Sequence, residues 1–223
     1  VSGKQESKDA VFPLIQKYGG VVIGLTLDES GIPDTADKSV EIARRIIAEA
    51  AQYGIHKKDI VIDVLAMTIS SDPEGARVTL EALKKVRYGL GVNTVLGVSN
   101  ISFGLPNRPV INANFYTMAM HNGLSAGIIN PSSEEMMRSF YAYHALMNLD
   151  SNCEDYIAKY AGQDTGTPAA PSVSGEMSLD QAIEKGLKEE AHHITGLLVK
   201  EQKPLDIINT YLIPALDNVG KGF

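Results

Sequence analysis

Four short apolar runs alternate with longer amphipathic stretches between residues 1 and 150. Each run is continuous rather than alternating, which is typical of strands that are buried on both faces of a sheet. The runs therefore predict four strands, at 21–27, 60–65, 94–98 and 124–129.

The stretches between these runs place apolar residues with a period near 3.6, which predicts helices. The predicted helices cover 7–18, 39–53, 72–88, 109–122 and 131–149. Strands that alternate with helices indicate parallel βα units, and two architectures fit them: a doubly wound open sheet and a (β/α)₈ barrel. Gly19 and Gly20 precede a strand instead of opening a helix, so the pattern disfavours a dinucleotide-binding fold.

The amino-acid composition changes at Gly162–Met177, a segment of small, polar and proline residues that predicts a linker between domains. Beyond it, one helix is predicted from Ser178 to Leu198 and another from Pro204 onward, each with an apolar face. Two such helices are expected to be the first half of a helical bundle. The predicted domains are thus 1–161, the linker 162–177, and 178–223.

Composition narrows the class of protein. The formal net charge of −7 disfavours a nucleic-acid partner, because such binding needs a basic face. No apolar run reaches the roughly 18 residues of a membrane span, so no membrane partner and a cytoplasmic location are expected. The single cysteine, Cys153, leaves no internal disulfide and no zinc site with several cysteines. The chain begins at Val1 and stops at Phe223 without a tail, so we expect a fragment of a longer protein.

Polar residues follow the predicted strands where ligands bind in parallel α/β folds. Asp63 lies in an apolar run, and its carboxylate either contacts a ligand or bonds the amides of the next loop. Asn100 either contacts a ligand or caps a turn, and Asn130 is favoured as the start of a helix. Arg108 either holds a ligand or pairs with a surface acid. Asp and Asn side chains at one site suit a small polar heterocycle.

Three stretches resemble one known family. Residues 97–108 (GVSNISFGLPNR) and 125–131 (SAGIINP) are similar to the pterin-binding domain of cobalamin-dependent methionine synthase and related folate–corrinoid methyltransferases. Residues 179–223 resemble the start of the helical cap that precedes the cobalamin-binding domain in that family. The resemblance implies an α/β fold: the C-terminal part of a (β/α)₈ TIM barrel, as in dihydropteroate synthase, then a linker and the first helices of an all-α cap bundle. It places Val1 in the loop after about the fourth strand.

The resemblance also implies roles for four residues. Asp63 would bind the pterin through its carboxylate, although the Asp-Pro-Gly form common in the family is missing here. Asn100 would lie near the pterin N5 and its methyl group as the catalytic residue, Arg108 would be a loop contact, and Ile128 would pack on the pterin. No metal site is implied for this chain.

The implied reaction transfers the methyl group of 5-methyltetrahydrofolate to cob(I)alamin, as in methionine synthesis. The folate is a substrate, and the cobalamin would be bound mainly by a downstream domain or a partner corrinoid protein. Two alternatives stay open. One is an enzyme like dihydropteroate synthase, which the missing strand-end lysine and arginine motifs disfavour. The other is a non-catalytic module that binds folate and docks a corrinoid protein.

Overall fold

The computed structural model describes residues 1–161, 177–184 and 186–221. Its internal contacts divide the chain into two units, Val1–Gln163 and Asp164–Phe223. Of the predicted linker at 162–177, all but Met177 lies outside the described residues.

The first unit contains a parallel sheet of four strands. They are β1 (Val22–Leu25), β2 (Ile60–Asp63), β3 (Asn93–Gly97) and β4 (Ala126–Ile128), and they lie side by side in chain order. A doubly wound sheet reverses its strand order at a switch point, and this sheet does not. The order is that of a barrel wall, so the fold is α/β with the arrangement of part of a (β/α)₈ barrel.

Residues at the start of the chain extend this sheet, which corrects the expectation of a loop at Val1. Ser2 forms a parallel bridge with Leu25, and Gly3 N donates to Leu27 O at 2.7 Å. The backbone groups of residues 1–3 therefore satisfy the outer edge of β1, because an edge strand otherwise leaves its N–H and C=O groups unpaired.

Six helices accompany the strands, and all five predicted helical stretches contain one. They are α1 (Gln5–Tyr18), α2 (Ala36–Gln52), α3 (Gly75–Lys84), α4 (Arg108–His121), α5 (Glu134–Leu146) and α6 (Glu154–Tyr160). The π-helical turn Lys85–Leu90 continues α3. Helix α2 begins where Thr35 Oγ1 accepts from Lys38 N at 3.4 Å, and it ends before Gly54, whose φ of 74° suits glycine.

The sheet packs its helices on one face. Gly24, Ile62 and Leu96 point to that face, and a Cβ added at Gly24 would lie only 3.1 Å from Ile46 Cγ2 of α2. The opposite face leaves Ile23 49% and Ile128 61% exposed. The apolar core of this unit therefore lies between the strands and the helix layer, while the other face of the sheet is open.

The described residues of the second unit are mainly helical. Its helices are α7 (Leu179–Glu184), α8 (Lys188–Leu198), α9 (Pro204–Ile207) and α10 (Ile213–Lys221), and the π-helical turn Ile208–Leu212 joins the last two. The prediction of one helix from Ser178 to Leu198 was wrong. The chain breaks at Gly186, where φ is 69° and Leu187 N donates back to Ala182 O at 2.9 Å, a helix end that glycine favours.

Candidate functional site at the carboxyl ends of the strands

Asp63 is the last residue of β2 and is 9% exposed. Its Oδ1 accepts a hydrogen bond from Leu65 N at 2.9 Å, and the turn this bond closes holds Leu65 at a φ of 59°, which is uncommon for leucine. Both readings of Asp63 therefore stay open, because Oδ2 has no hydrogen-bond partner among the described residues and, unlike Thr26 Oγ1 and Asn112 Oδ1, is not fully enclosed by protein.

Burial sets the electrostatics of this carboxyl group. Loss of solvent raises the pKa of Asp63 above its ordinary value, and the hydrogen bond from Leu65 N offsets this only in part. A buried carboxylate with one unpaired oxygen is costly unless a donor reaches it. N–H groups that lie side by side on a heterocycle are donors of the kind that would compensate this oxygen.

Asn100 lies in the 3-10 helix Val98–Ser102, which directly follows β3 and is called the Asn100 turn. Its side chain is exposed and forms no hydrogen bond with any residue that the structure describes. Gly97 makes room for it, since a Cβ at that position would lie 3.3 Å from Asn100 Nδ2. The amide of Asn100 thus lies over the face of the sheet to which a Gly97 side chain would point.

The register shows that Asp63 and Asn100 share that face. Asp63 is level with Val95 in the sheet, and Gly97 follows two residues later on the same strand. Level residues in a parallel sheet, and residues two apart on one strand, project to the same face. The two side chains therefore lie on the same face of the sheet, at the carboxyl ends of neighbouring strands, on the side that the helices leave open.

Arg108, the first residue of α4, is half-buried beside the same turn. Its Nε donates to Ser102 Oγ at 2.9 Å, and its Nη2 donates to Ser99 O at 3.0 Å. The guanidinium also lies 4.6 Å from the centre of the Phe103 ring. Among the described residues Arg108 pairs with no acid, and two of its five N–H groups donate within the loop itself.

Ile128 ends β4 at the level of Gly97, so it also lies on the open face of the sheet. It is 61% exposed and offers an apolar surface beside the Asn100 turn. Asn130 has a different role: its Oδ1 accepts from Ser132 N at 3.0 Å in the turn that leads into α5. Helix α5 begins at Glu134 with Ser133 at its N-cap, so Asn130 lies in the turn before the helix and not at its first position.

Two hydroxyl groups that the sequence analysis missed connect the loops after β2 and β3. Thr68 Oγ1 and Ser70 Oγ both donate to Phe103 O, at 2.7 and 2.8 Å. Backbone Ile69 N also donates to Ile101 O at 3.0 Å. The loop after Asp63 is thereby fixed to the loop that carries Asn100. The run Thr68-Ile69-Ser70-Ser71, polar directly after an apolar strand, was the available signal.

Within the described ranges, no group of three or more His, Cys, Asp or Glu side chains is placed to hold a metal ion. The same ranges contain no helix long and apolar enough to cross a membrane.

Comparison with known proteins gives the family of this fold. Residues 1–130, more than half of the chain, match the family described as pterin binding enzyme. The chain belongs to the pterin-binding enzyme family. The match contains the four predicted site residues of this pterin-binding chain, Asp63, Asn100, Arg108 and Ile128.

Individual relatives are methyltransferases and synthases. The chain is 30% identical over 161 residues to a methylcorrinoid:tetrahydrofolate methyltransferase of Eubacterium limosum, which covers 70% of this chain and 59% of the relative. It is also 30% identical over 234 aligned positions to a methionine synthase of Mycobacterium tuberculosis, covering 94% of this chain and 20% of the relative. A methionine synthase of Mycobacterium leprae is 37% identical over 127 residues, which cover 53% of this chain and 10% of the relative. The pterin-binding chain therefore spans less than two thirds of the length of these relatives.

Proposed function

We propose that the protein binds 5-methyltetrahydrofolate at the carboxyl ends of β2 and β3 and transfers its N5-methyl group to cob(I)alamin. The observation that carries this proposal is the placement on one face of the sheet of the exposed Asn100 amide and of Asp63, whose Oδ2 has no hydrogen-bond partner among the described residues. The names of two relatives, a methylcorrinoid:tetrahydrofolate methyltransferase and a methionine synthase, support the choice of substrate and acceptor.

Asp63 would bind the polar edge of the pterin. In its ionised form, the free Oδ2 accepts hydrogen bonds from the ring nitrogens and the exocyclic amino group that a pterin presents together. Burial takes water away from Asp63 and so raises its pKa. Hydrogen bonds from the ligand would replace that water and would favour the ionised form of Asp63 in the complex. Ile128 would supply apolar contact to the ring from β4.

Asn100 would act near N5. Methyl transfer breaks the bond between N5 and the methyl carbon, leaves the electron pair on N5, and needs a proton there to make the amine a leaving group. An amide does not release a proton at neutral pH, so solvent supplies it, while Asn100 hydrogen-bonds the protonated nitrogen in the transition state. The corrinoid supplies the reduced cobalt that attacks the methyl carbon.

We further propose that 1–161 forms the pterin-binding part and that 178–223 begins a helical cobalamin cap, which faces a corrinoid-binding domain or protein. Support for the cap is the exposure of large apolar side chains in the second unit, where Leu197 is 50% and Leu216 is 58% exposed. Changing both leucines to serine is expected to slow transfer to a protein-bound corrinoid and to leave transfer to free cob(I)alamin unchanged. Equal rates of transfer to the protein-bound corrinoid by the wild type and the variant would contradict the proposed cap.

The cytoplasmic location stays a prediction.

The test is anaerobic mixing of the protein, 5-methyltetrahydrofolate and cob(I)alamin, with methylcobalamin followed by its absorbance. We expect transfer by the wild type and a loss of at least about a hundredfold in Asn100→Ala, the scale of a lost transition-state hydrogen bond. Asn114→Ala, which changes an exposed asparagine of α4, is the matched control and should keep the wild-type rate. Folate binding without transfer would favour the non-catalytic module, and undiminished transfer by Asn100→Ala would refute the role of Asn100.

A further inference from the structure

The Asn100 turn packs through its buried residues Val98, Ile101 and Ser102, but it leaves Asn100 exposed. It spans five residues, its helical hydrogen bonds are those of a short 3-10 segment, and the side chain of Asn100 makes no hydrogen bond within the described structure. Asn100 is therefore only as well placed as the backbone that carries it. A group that fixes this backbone would control the position of the amide.

Arg108 contacts this turn on both sides of Asn100. Nη2 bonds the carbonyl of Ser99, the residue directly before Asn100, and Nε bonds the hydroxyl of Ser102, two residues after it. Ser102 is fully buried, and its hydroxyl in turn donates to Ser99 O at 3.2 Å. The three groups form a closed ring of hydrogen bonds between the residue before Asn100 and the residue two positions after it.

The guanidinium is itself held in place. It lies against the Phe103 ring at 4.6 Å, and Phe103 O accepts from both Thr68 and Ser70 in the loop that follows Asp63. A planar guanidinium can donate two directed hydrogen bonds and stack at the same time, and a lysine ammonium cannot. The arrangement uses the features that distinguish arginine from lysine.

We propose that Arg108 is a positioning residue, which acts on the substrate through the Asn100 turn rather than as the direct ligand contact that the resemblance implies. The inference deepens the proposed function and rests on it, because the purpose of a fixed Asn100 is to meet N5 of the folate. Arg108 holds the Ser99 carbonyl and the Ser102 hydroxyl, and these set where the amide of Asn100 lies.

The first test needs no ligand. The amides of Phe103 and Leu105 donate to Asn100 O and Ser102 O at 3.3 and 3.1 Å, so their hydrogen exchange reports on the order of this turn. Arg108→Ala is expected to speed exchange at both amides by about tenfold or more in the free protein, because opening the turn then breaks no bond to Arg108. Arg108→Lys should recover little of the protection, and added guanidinium ion should restore part of it in Arg108→Ala.

The second test uses a double-mutant cycle on methyl transfer to cob(I)alamin. If Arg108 acts only through Asn100, Arg108→Ala lowers the rate about tenfold to a hundredfold in the wild type and has no further effect in the Asn100→Ala background. A direct ligand contact would instead reduce substrate affinity by the same factor in both backgrounds. Arg138→Ala, which removes an exposed arginine of α5 paired with Glu134, is the matched control and should change neither readout.

The outcomes separate the two proposals. Unchanged exchange in Arg108→Ala, or additive effects in the cycle, would overturn the positioning role and leave the proposed function standing. A wild-type protein that neither binds 5-methyltetrahydrofolate nor transfers its methyl group would overturn the proposed function, whatever the exchange rates show. Faster exchange together with non-additive kinetics is the result that the positioning role requires.

Discussion

Gly97→Ala tests the placement of Asn100 with a single added methyl group. The new Cβ would lie 3.3 Å from Nδ2, 3.7 Å from Cγ and 3.9 Å from Oδ1 of Asn100. The shortest of these distances requires the amide to move by a few tenths of an ångström. Asn100 is exposed and has no hydrogen-bond partner in the described chain, so its side chain moves more easily than the backbone.

The expected result is a loss of activity without a loss of stability. Since a displacement of about 1 Å can cost a hundredfold in rate, a shift of a few tenths should slow methyl transfer by about 3- to 10-fold. The φ of Gly97 is −75°, which alanine adopts freely, so its free energy of unfolding should stay equal or rise by about 0.4–1 kcal/mol. Methylcobalamin absorbance gives the rate, and thermal melting gives the stability.

Two variants complete this experiment. Gly89→Ala adds a methyl group with no atom within 4 Å of its Cβ and should keep the wild-type rate. Gly97→Ala in the Asn100→Ala background should cause no further loss, because the group that it displaces is gone. A wild-type rate in the single variant Gly97→Ala, or an equal loss in both backgrounds, would refute the placement of the amide as the cause.

Three further predictions follow from single contacts. Thr68→Val removes a donor to Phe103 O, so we expect the free energy of unfolding to fall by about 1 kcal/mol and methyl transfer to slow. An unchanged denaturant midpoint would contradict the expected loss of stability. Asp63 has a raised folded pKa, so its stabilising contribution is complete below the unfolded pKa of about 3.9 and is lost as pH rises through the folded value. Asp63→Asn should therefore raise the melting temperature at pH 7, relative to wild type, more than at pH 3, and equal shifts at both pH values would argue against burial as the cause. Lys8→Ala leaves Glu49 without its ion-pair partner and should lower the free energy of unfolding, measured by urea titration, by on the order of 2 kcal/mol. This is less than the loss for a fully buried pair, because 20% of the Glu49 side chain is exposed. A loss under about 0.5 kcal/mol would show that the pair is solvated.

The sequence predicted the sheet because its information is local. The strands are continuous apolar runs and the helices have a period of 3.6, so element type and the parallel direction of the strands follow from pattern. The order of the strands, which separates a barrel from a doubly wound sheet, came from the structure. The same rule brought Asp63 and Asn100 to one edge of the sheet, since the carboxyl ends of parallel strands share it. Gly186 shows the limit of pattern: the apolar face runs through it without interruption, and only its left-handed φ divides the helix.

Contacts between loops could not be predicted in this way. The hydrogen bond from Thr68 to Phe103 O joins residues 35 positions apart, and no periodic pattern in the sequence of either loop indicates it. The contacts of Arg108 depend on the exact path of the turn after β3, which residue spacing does not specify. The sequence thus indicated which residues to examine, while their partners depended on the tertiary structure.

The most direct test of the account is calorimetric titration of 5-methyltetrahydrofolate into the wild type, Asp63→Asn, Asn100→Ala and the double variant. We predict saturable binding at one site in the wild type and a loss of at least about tenfold in affinity for Asp63→Asn, the scale of a hydrogen bond to a charged group. The double variant should bind no better than Asp63→Asn. Absence of saturable binding in the wild type, or wild-type affinity in both single variants, would contradict the claim that these side chains meet one folate ring.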